Sequence, residues 1–371
     1  MDQGLGLKTI AHVMGWDNDK ATDEYRWLKL ISAFKYDGYQ DFVAGARFIE
    51  RLIVWLSQFK TVEEREIAYN FVKNTLVYFS PLEFRKLIEL FYPEIVAKNI
   101  THTIADKLNI ERYQIWSHKE GKKKFEELRR KTLFMGLSDG ARIDIFRHSN
   151  HGNLVNDQVV AFTQIDKEKW NDLINELRKD TNDPAAKFSN LYIIDDFTAS
   201  GTTLFRKDAD EWKGKLLKLY SSITDFGEIN EIFEDGWTLY VHHYLMSESV
   251  IQKLIDKQSQ ALKDMGKDGW FNNVKFTNSV RLPSSLKLDE TRDKEILALA
   301  DNHYDPSIEI LKHLIPSGVD NLRRGYGGCA LPIVLEHNTP NNSMPIIWSE
   351  SDGVNGKHKM RPLFRRHQRH E

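Results

Sequence analysis

The chain has 371 residues, a net charge of −2, 41% hydrophobic and 29% charged residues, a balance that belongs to folded globular proteins and leaves room for two domains or one large one. Near-neutrality gives no global reason to expect nucleic acid, although it can conceal a local basic patch. Cys329 is the only cysteine, which excludes an internal disulfide and fits a reducing compartment. The opening MDQGLGLKTI lacks a charged segment leading an apolar core, and no run approaches the roughly 20 apolar residues of a membrane span. A cytoplasmic protein with no membrane contact is expected.

From about Ala21 to Lys131 the apolar period is helical throughout. Phe42, Ala46, Ile49, Ile53 and Leu56 make one stripe, Ile67, Phe71, Leu76 and Phe79 another, and Ser80-Pro81 with Glu83 caps a third helix. Residues 1–130 therefore read as an N-terminal all-helical domain without visible chemistry. The charged HKEGKKKFEELRR of His118 to Arg130 reads as a solvated linker or helix.

A different pattern begins at Leu133. In LFMGLSDGARIDIFRHSN a short apolar strand ends in Ser138-Asp139-Gly140, followed by Ala141 and Arg142: a turn that can present backbone N–H groups beside a cation. A plain β-turn explains these residues equally well. Asn156 to Ile165 reads as a short apolar segment, Lys167 to Arg178 as an amphipathic helix, and Asp180 to Ser189 as a loop feeding the next strand.

That strand opens Leu191 to Phe205, LYIIDDFTASGTTLF, around which the chain is organised. A buried apolar run delivers Asp195 and Asp196 to a turn of small residues, Ala199, Ser200, Gly201, Thr202 and Thr203, with a helix expected to start directly behind it. N–H groups opening a helix make an anion cradle. Carboxylates at its rim suit sugar hydroxyls or a divalent cation, so the set describes a ribose 5-phosphate site. An ordinary strand, turn and capped helix is the alternative. Beyond it, a helix from Leu204 to Ser222, a strand at Trp237 to Met246 and a helix from Glu248 to Lys263 imply alternating strands and helices. The fold expected for residues 131–350 is α/β, a parallel sheet with helices on both faces. Ligands of such sheets sit at the carboxyl ends of the strands, where the turn falls.

Arg323 to Trp348 combines a Gly-rich turn, an apolar strand, the amide-dense loop HNTPNN and a closing apolar segment. Asn338, Asn341 and Asn342 could contact a ligand or form an Asx-turn. Residues 351–371 form a basic tail. Arg361, Arg365 and Arg366, with Lys357, Lys359 and Arg369, make the usual footprint of a nucleic-acid contact, with a solvated terminus the equal alternative.

The order apolar strand, Asp-Asp, apolar residue, two spacers, Ser, Gly, Thr, Thr resembles the PRPP-binding signature of type I phosphoribosyltransferases. Thr202 stands where a second small residue is usual. The resemblance implies that Asp195 and Asp196 hold the ribose hydroxyls with Mg²⁺, that Ala199 to Thr203 hold the 5-phosphate, and that Ser138, Asp139, Gly140 and Arg142 face the pyrophosphate. Asp195, Asp196 and Arg142 are then the catalytic candidates, and PRPP or a nucleotide is the substrate. One part departs from the pattern. Such enzymes carry a mobile loop with a basic residue between the first strand and the PRPP motif, and here only Arg147, His148 and His151 are near. Those two histidines have no third ligand at a metal-binding spacing.

With the helical N-terminus, the Ser-Asp-Gly-Ala-Arg turn, the late Gly-Tyr-Gly, Asn-Thr-Pro-Asn-Asn and a Pro-x-x-Trp, the chain is similar to phosphoribosyltransferase-like proteins of bacterial conflict systems. These occur as anti-phage effectors beside retron reverse transcriptases. The similarity implies a reverse transcriptase, its RNA–DNA product and a winged-helix protein as partners. Three functions stay open: a transferase or glycosidic-bond-cleaving toxin acting on nucleotides, a non-catalytic sensor of PRPP or nucleotides, and a nucleoprotein interaction module.

Overall fold

The computed structural model describes residues 3–208, 210–227, 229–266, 270–309, 318–353 and 359–367. It divides into two compact units, Arg85–Pro283 and a discontinuous one made of Met1–Phe84 and Ser284–Glu371.

The Arg85–Pro283 unit is built on five parallel strands: β1 (Thr132–Gly136), β2 (Val159–Val160), β3 (Phe188–Thr198), β4 (Phe233–Ser247) and β5 (Val274–Leu282), in the spatial order β2-β1-β3-β4-β5. Strands covered on both faces need apolar side chains on both, which is why LFMG and LYII are continuous rather than alternating. Leu133, Met135, Leu191, Ile193, Leu239 and Val241 face one side. They pack on α2 (Lys167–Thr181), α3 (Lys215–Phe226) and α4 (Glu248–Met265) through Trp170, Leu177, Leu219, Ile223, Val250 and Leu254. The other side carries Phe134, Tyr192 and Tyr240, stacked in a row with centroids 5.5 and 4.3 Å apart. Phe146 of α1 (Ile143–Ser149) and Phe91 cover that row, Phe91 lying on His242 at 3.9 Å. The expected α/β class, with helices on both faces of a parallel sheet, is the one observed.

The strand order matters for function. From β1 the chain crosses outward to β2 through α1, then returns past β1 to β3 through α2, which lies on the opposite face. Diverging connections leave a crevice at the carboxyl ends of β1 and β3.

The discontinuous unit packs helices Gln3–Met14, Asn18–Phe34, Phe48–Ser57 and Val62–Asn74 with Lys294–His303. It also holds a two-stranded parallel pair, Val77–Phe79 with Ile333–Leu335, so the expected helical N-terminus is interrupted by one short strand. The boundary expected near residue 130 moves to 84. Gly121–Arg130, the charged stretch read as a linker or helix, is a helix with Phe125 and Leu128 buried, and Asn99 donates to the Tyr192 hydroxyl at 3.0 Å. The tail is not a separate segment either. Phe364 is fully buried among Tyr36, Tyr39, Phe42, Phe48 and Tyr78, with ring centroids 5.2 to 5.8 Å away. Among the described residues, no helix is long and apolar enough to cross a membrane.

Candidate functional site

The turns after β1 and β3 are those the sequence singled out, and the change in strand order makes them neighbours. After β1, Leu137 donates to Ile194 at 2.8 Å, and the Ser138 hydroxyl donates to Asp195 Oδ1. A single 3₁₀ turn, Asp139–Ala141, follows, and Arg142 takes a left-handed conformation (φ 47°) from which α1 departs. The N–H groups of Ala141 and Arg142 return to Ser138 and Asp139. Those of Ser138, Asp139 and Gly140 have no acceptor among the described residues, so they can receive an anion.

Asp195 and Asp196 are consecutive on β3, so the strand sends their side chains to opposite faces. Mutual repulsion between them, the natural reading of Asp-Asp, is weakened by that geometry. Asp195 is buried and saturated: Oδ1 accepts from Ser138 and from the Asp196 N–H at 3.2 Å, and Oδ2 takes the Lys215 ammonium at 2.6 Å. Asp196 is half-buried, and its Oδ1 accepts the Phe197 N–H at 2.8 Å.

In the turn itself, Ala199 and Thr202 are buried, Thr203 is exposed, and the hydroxyls of Ser200 and Thr202 lie 3.0 Å apart. Gly201 is left-handed (φ 70°), and a Cβ on it would stand 2.8 Å from Leu254 Cδ2 on α4, so conformation and packing both demand glycine. The helix expected directly behind the turn is absent. Arg206–Asp208 pairs antiparallel with Glu211–Lys213, Phe205 stacks on Trp212 at 5.7 Å, and α3 begins only at Lys215. The alternation that buries Trp212 between two exposed neighbours overrides helix propensity here. An anion at this turn is therefore met by N–H groups and cations rather than by a helix dipole. The N–H groups of Ser200, Gly201 and Thr203 have no acceptor among the described residues. Arg206 donates to the Thr202 carbonyl at 3.4 Å. On α4, Lys257 is held below the usual lysine range by burial and by repulsion from Lys253 and Arg206.

Two residues of the site escaped sequence reasoning. Lys215 follows the motif and belongs to no recognisable pattern. His243 faces Asp195 across the β3–β4 register, is 2% exposed, and has no partner for Nδ1 among the described residues. Burial pulls its pKa down to about 4, against the carboxylates of Asp195 and Asp196 and with the help of Lys215. The cations proposed to replace the missing loop do not join the site in any described contact. Arg147 donates from Nη2 to the Val159 carbonyl at 2.6 Å while its buried Nε has no partner among the described residues, and His148 and His151 are exposed. Among the described residues no group of three or more His, Cys, Asp or Glu is placed to hold a metal ion.

The remaining candidates lie in the other unit. Asn338 bonds the backbone of His367 at 2.9 and 3.0 Å, Asn342 bonds the Tyr326 carbonyl at 2.9 Å, and the Asn341 carbonyl accepts from Tyr326 at 2.7 Å. These groups tie the loop to the C-terminal segment at His367 and to the Gly-rich turn at Tyr326. Arg361 pairs with Glu350 and Asp352 at 3.4 and 3.7 Å, Arg365 with Glu350 at 3.1 Å, and Arg366 lies over the Trp348 ring. Lys357 and Arg369 lie outside the described residues.

A parallel sheet with this strand order, with an Asp pair and two turns of N–H groups unpaired among the described residues at its switch point, defines a phosphoribosyltransferase-like α/β protein. Residues 52–366 match the PRTase-CE family, and the chain belongs to that family. No curated protein and no solved structure matches it.

Proposed function

We propose that the crevice between β1 and β3 binds PRPP or a nucleotide, and that the protein acts on nucleotides as an effector of a bacterial defence system. The observation that carries the binding reading is the Ser138–Asp195 hydrogen bond: it ties together two turns, each with several N–H groups lacking an acceptor. In phosphoribosyl transfer a nucleophile attacks C1 as pyrophosphate leaves, so catalysis lies in positioning and in neutralising the departing charge. The turn from Ala199 to Thr203 would hold the 5-phosphate. Asp196 would take the ribose hydroxyls, with Asp195 fixing the strand end. The N–H groups of Ser138, Asp139 and Gly140, with Arg142, would face the diphosphate.

Magnesium fits this chain only as part of the substrate. Asp195 already accepts from Ser138, from Lys215 and from the Asp196 N–H, and among the described residues no group of three or more His, Cys, Asp or Glu is placed to hold a hard cation, which takes several oxygen ligands. A cation riding on the diphosphate would supply charge neutralisation there.

Defence context, toxicity and the partners (a reverse transcriptase, its RNA–DNA product and a winged-helix protein) rest on the resemblance in the motifs. A nucleic-acid contact through Arg361 and Arg365 would have to compete with Glu350. A second reading, a non-catalytic sensor of PRPP or nucleotides, is favoured by one observation: no described contact brings Arg147, His148 or His151 to the Asp pair. Mass spectrometry of nucleotide pools separates the two. Cells expressing the wild type should show a depleted or modified nucleotide that cells expressing Asp196→Asn do not. Unchanged pools beside measurable PRPP binding would support the sensor and overturn the toxin.

A further inference from the structure

The position of Lys215 is unusual for a lysine. It is the first residue of α3, where the positive end of the helix dipole disfavours a cation by a few tenths to about 1 kcal/mol. The chain is nevertheless shaped to put it there. Gly214 has a φ of 129°, and a Cβ on it would stand 2.5 Å from the Leu204 carbonyl oxygen, so only glycine lets the start of α3 press against the end of the phosphate turn. The Lys215 N–H then donates to the Thr203 carbonyl at 3.2 Å, while its ammonium lies 2.6 Å from Asp195 Oδ2. One residue thus spans the motif, with its main chain at the last residue of the turn and its charge at the first carboxylate. Asp195 in turn accepts from Ser138, which opens the turn after β1. The ammonium is therefore at the junction of both turns, and the side chain retains 25% of its exposure, so it is not sealed in.

We infer that Lys215 is a second cation, beside Arg142, that this site presents to the diphosphate of its ligand, held on Asp195 until the ligand arrives. The inference rests on the reading of the crevice as a PRPP or nucleotide site and deepens it. The basic group missing between β1 and β3 is supplied from behind the motif, by the start of α3. An ammonium has three donors, so Lys215 can keep its bond to Asp195 while turning another N–H to a phosphate oxygen. Holding the cation on Asp195 also fixes its position before binding, which reduces the ordering cost on association.

Calorimetric titration of the full chain with PRPP and, separately, with ribose 5-phosphate tests this. The two ligands share the 5-phosphate and ribose but differ in the diphosphate. The wild type should prefer PRPP. Lys215→Met should weaken PRPP by about tenfold or more, the loss expected for a charged hydrogen bond, while changing ribose 5-phosphate by less than about threefold. Lys215→Arg should restore most of the preference. Equal losses for both ligands would mean that Lys215 only supports the fold of the turn, and unchanged PRPP affinity would mean that it does not face the ligand; either overturns the inference. Melting curves of the variants identify any that fail to fold, and in that case the arginine variant alone decides, by keeping or losing the preference. If the wild type bound neither ligand, the underlying reading of the crevice would fall instead.

Discussion

Replacing Asp195 by asparagine keeps the size of the side chain and removes its charge, which leaves Lys215 facing a neutral amide. The two side chains keep 10% and 25% of their exposure, between a surface ion pair and a sealed one. Exposed pairs are worth about 0–1 kcal/mol, and breaking fully buried ones costs about 3–5, so a loss of about 1–3 kcal/mol is expected. For a unit of this size that lowers the melting temperature by about 2–10 °C. Asp196→Asn should cost less, because Asp196 is only half-buried, an amide oxygen can still accept the Phe197 N–H, and the Lys215 ammonium is held by Asp195. Its cost should stay clearly below that of Asp195→Asn. Urea denaturation followed by far-UV circular dichroism measures both. Equal costs for the two variants, or a stabilised Asp195→Asn, would refute the claim that the adjacent carboxylates have separate jobs.

Gly201→Ala should cost about 1–2 kcal/mol from its left-handed backbone alone, with the contact to Leu254 added; combined with Leu254→Ala, it should cost less than the sum of the two single losses, read from melting curves. A β-branched residue at Gly201 would therefore disturb the fold of the turn as well as any binding there. His243 is neutral in the folded chain down to about pH 4, whereas an unfolded histidine titrates near 6.5. Its neutral burial is cost-free above pH 6.5, and stability falls as the pH drops towards 4, by about 1.4 kcal/mol per unit. His242, also held well below its ordinary value by burial, adds to the slope. His243→Asn should remove about one proton from the pH dependence of the unfolding free energy between pH 4.5 and 6.5, and an unchanged slope would contradict it. Phe364→Ala should destabilise its unit by about 3–5 kcal/mol, the cost of emptying an aromatic core site, and a neutral effect in denaturation would restore the picture of a solvated tail.

The sequence made the centre of the site readable because strand, Asp pair and turn are contiguous, and their spacing alone fixes which groups share a strand end. What it hid lies at a distance along the chain. Register alone sets His243 opposite Asp195, and Lys215 enters through a glycine whose backbone no composition rule reveals. The strand Val274–Leu282 escaped notice because VKFTNSVRL, on the sheet edge and mostly half-buried, carries polar residues that weaken its apolar signal. Arg206 to Lys213 read as helix because its charges suit one, whereas Phe205 and Trp212 stack only across a ribbon. The tail misled in the opposite way: Met360, Leu363 and Phe364 sit among basic residues, so a stretch that completes an aromatic core resembles a polyanion contact.

Whether the crevice takes a phosphorylated ribose is open to direct measurement. Calorimetric titration of PRPP into the full chain should give a single site, and Thr203→Val, which removes an exposed hydroxyl from the turn, should weaken it by about threefold or more with an unchanged melting temperature. No heat of binding at millimolar PRPP, or an affinity indifferent to both Thr203→Val and Asp196→Asn, would contradict the assignment of the β1–β3 crevice as the functional site.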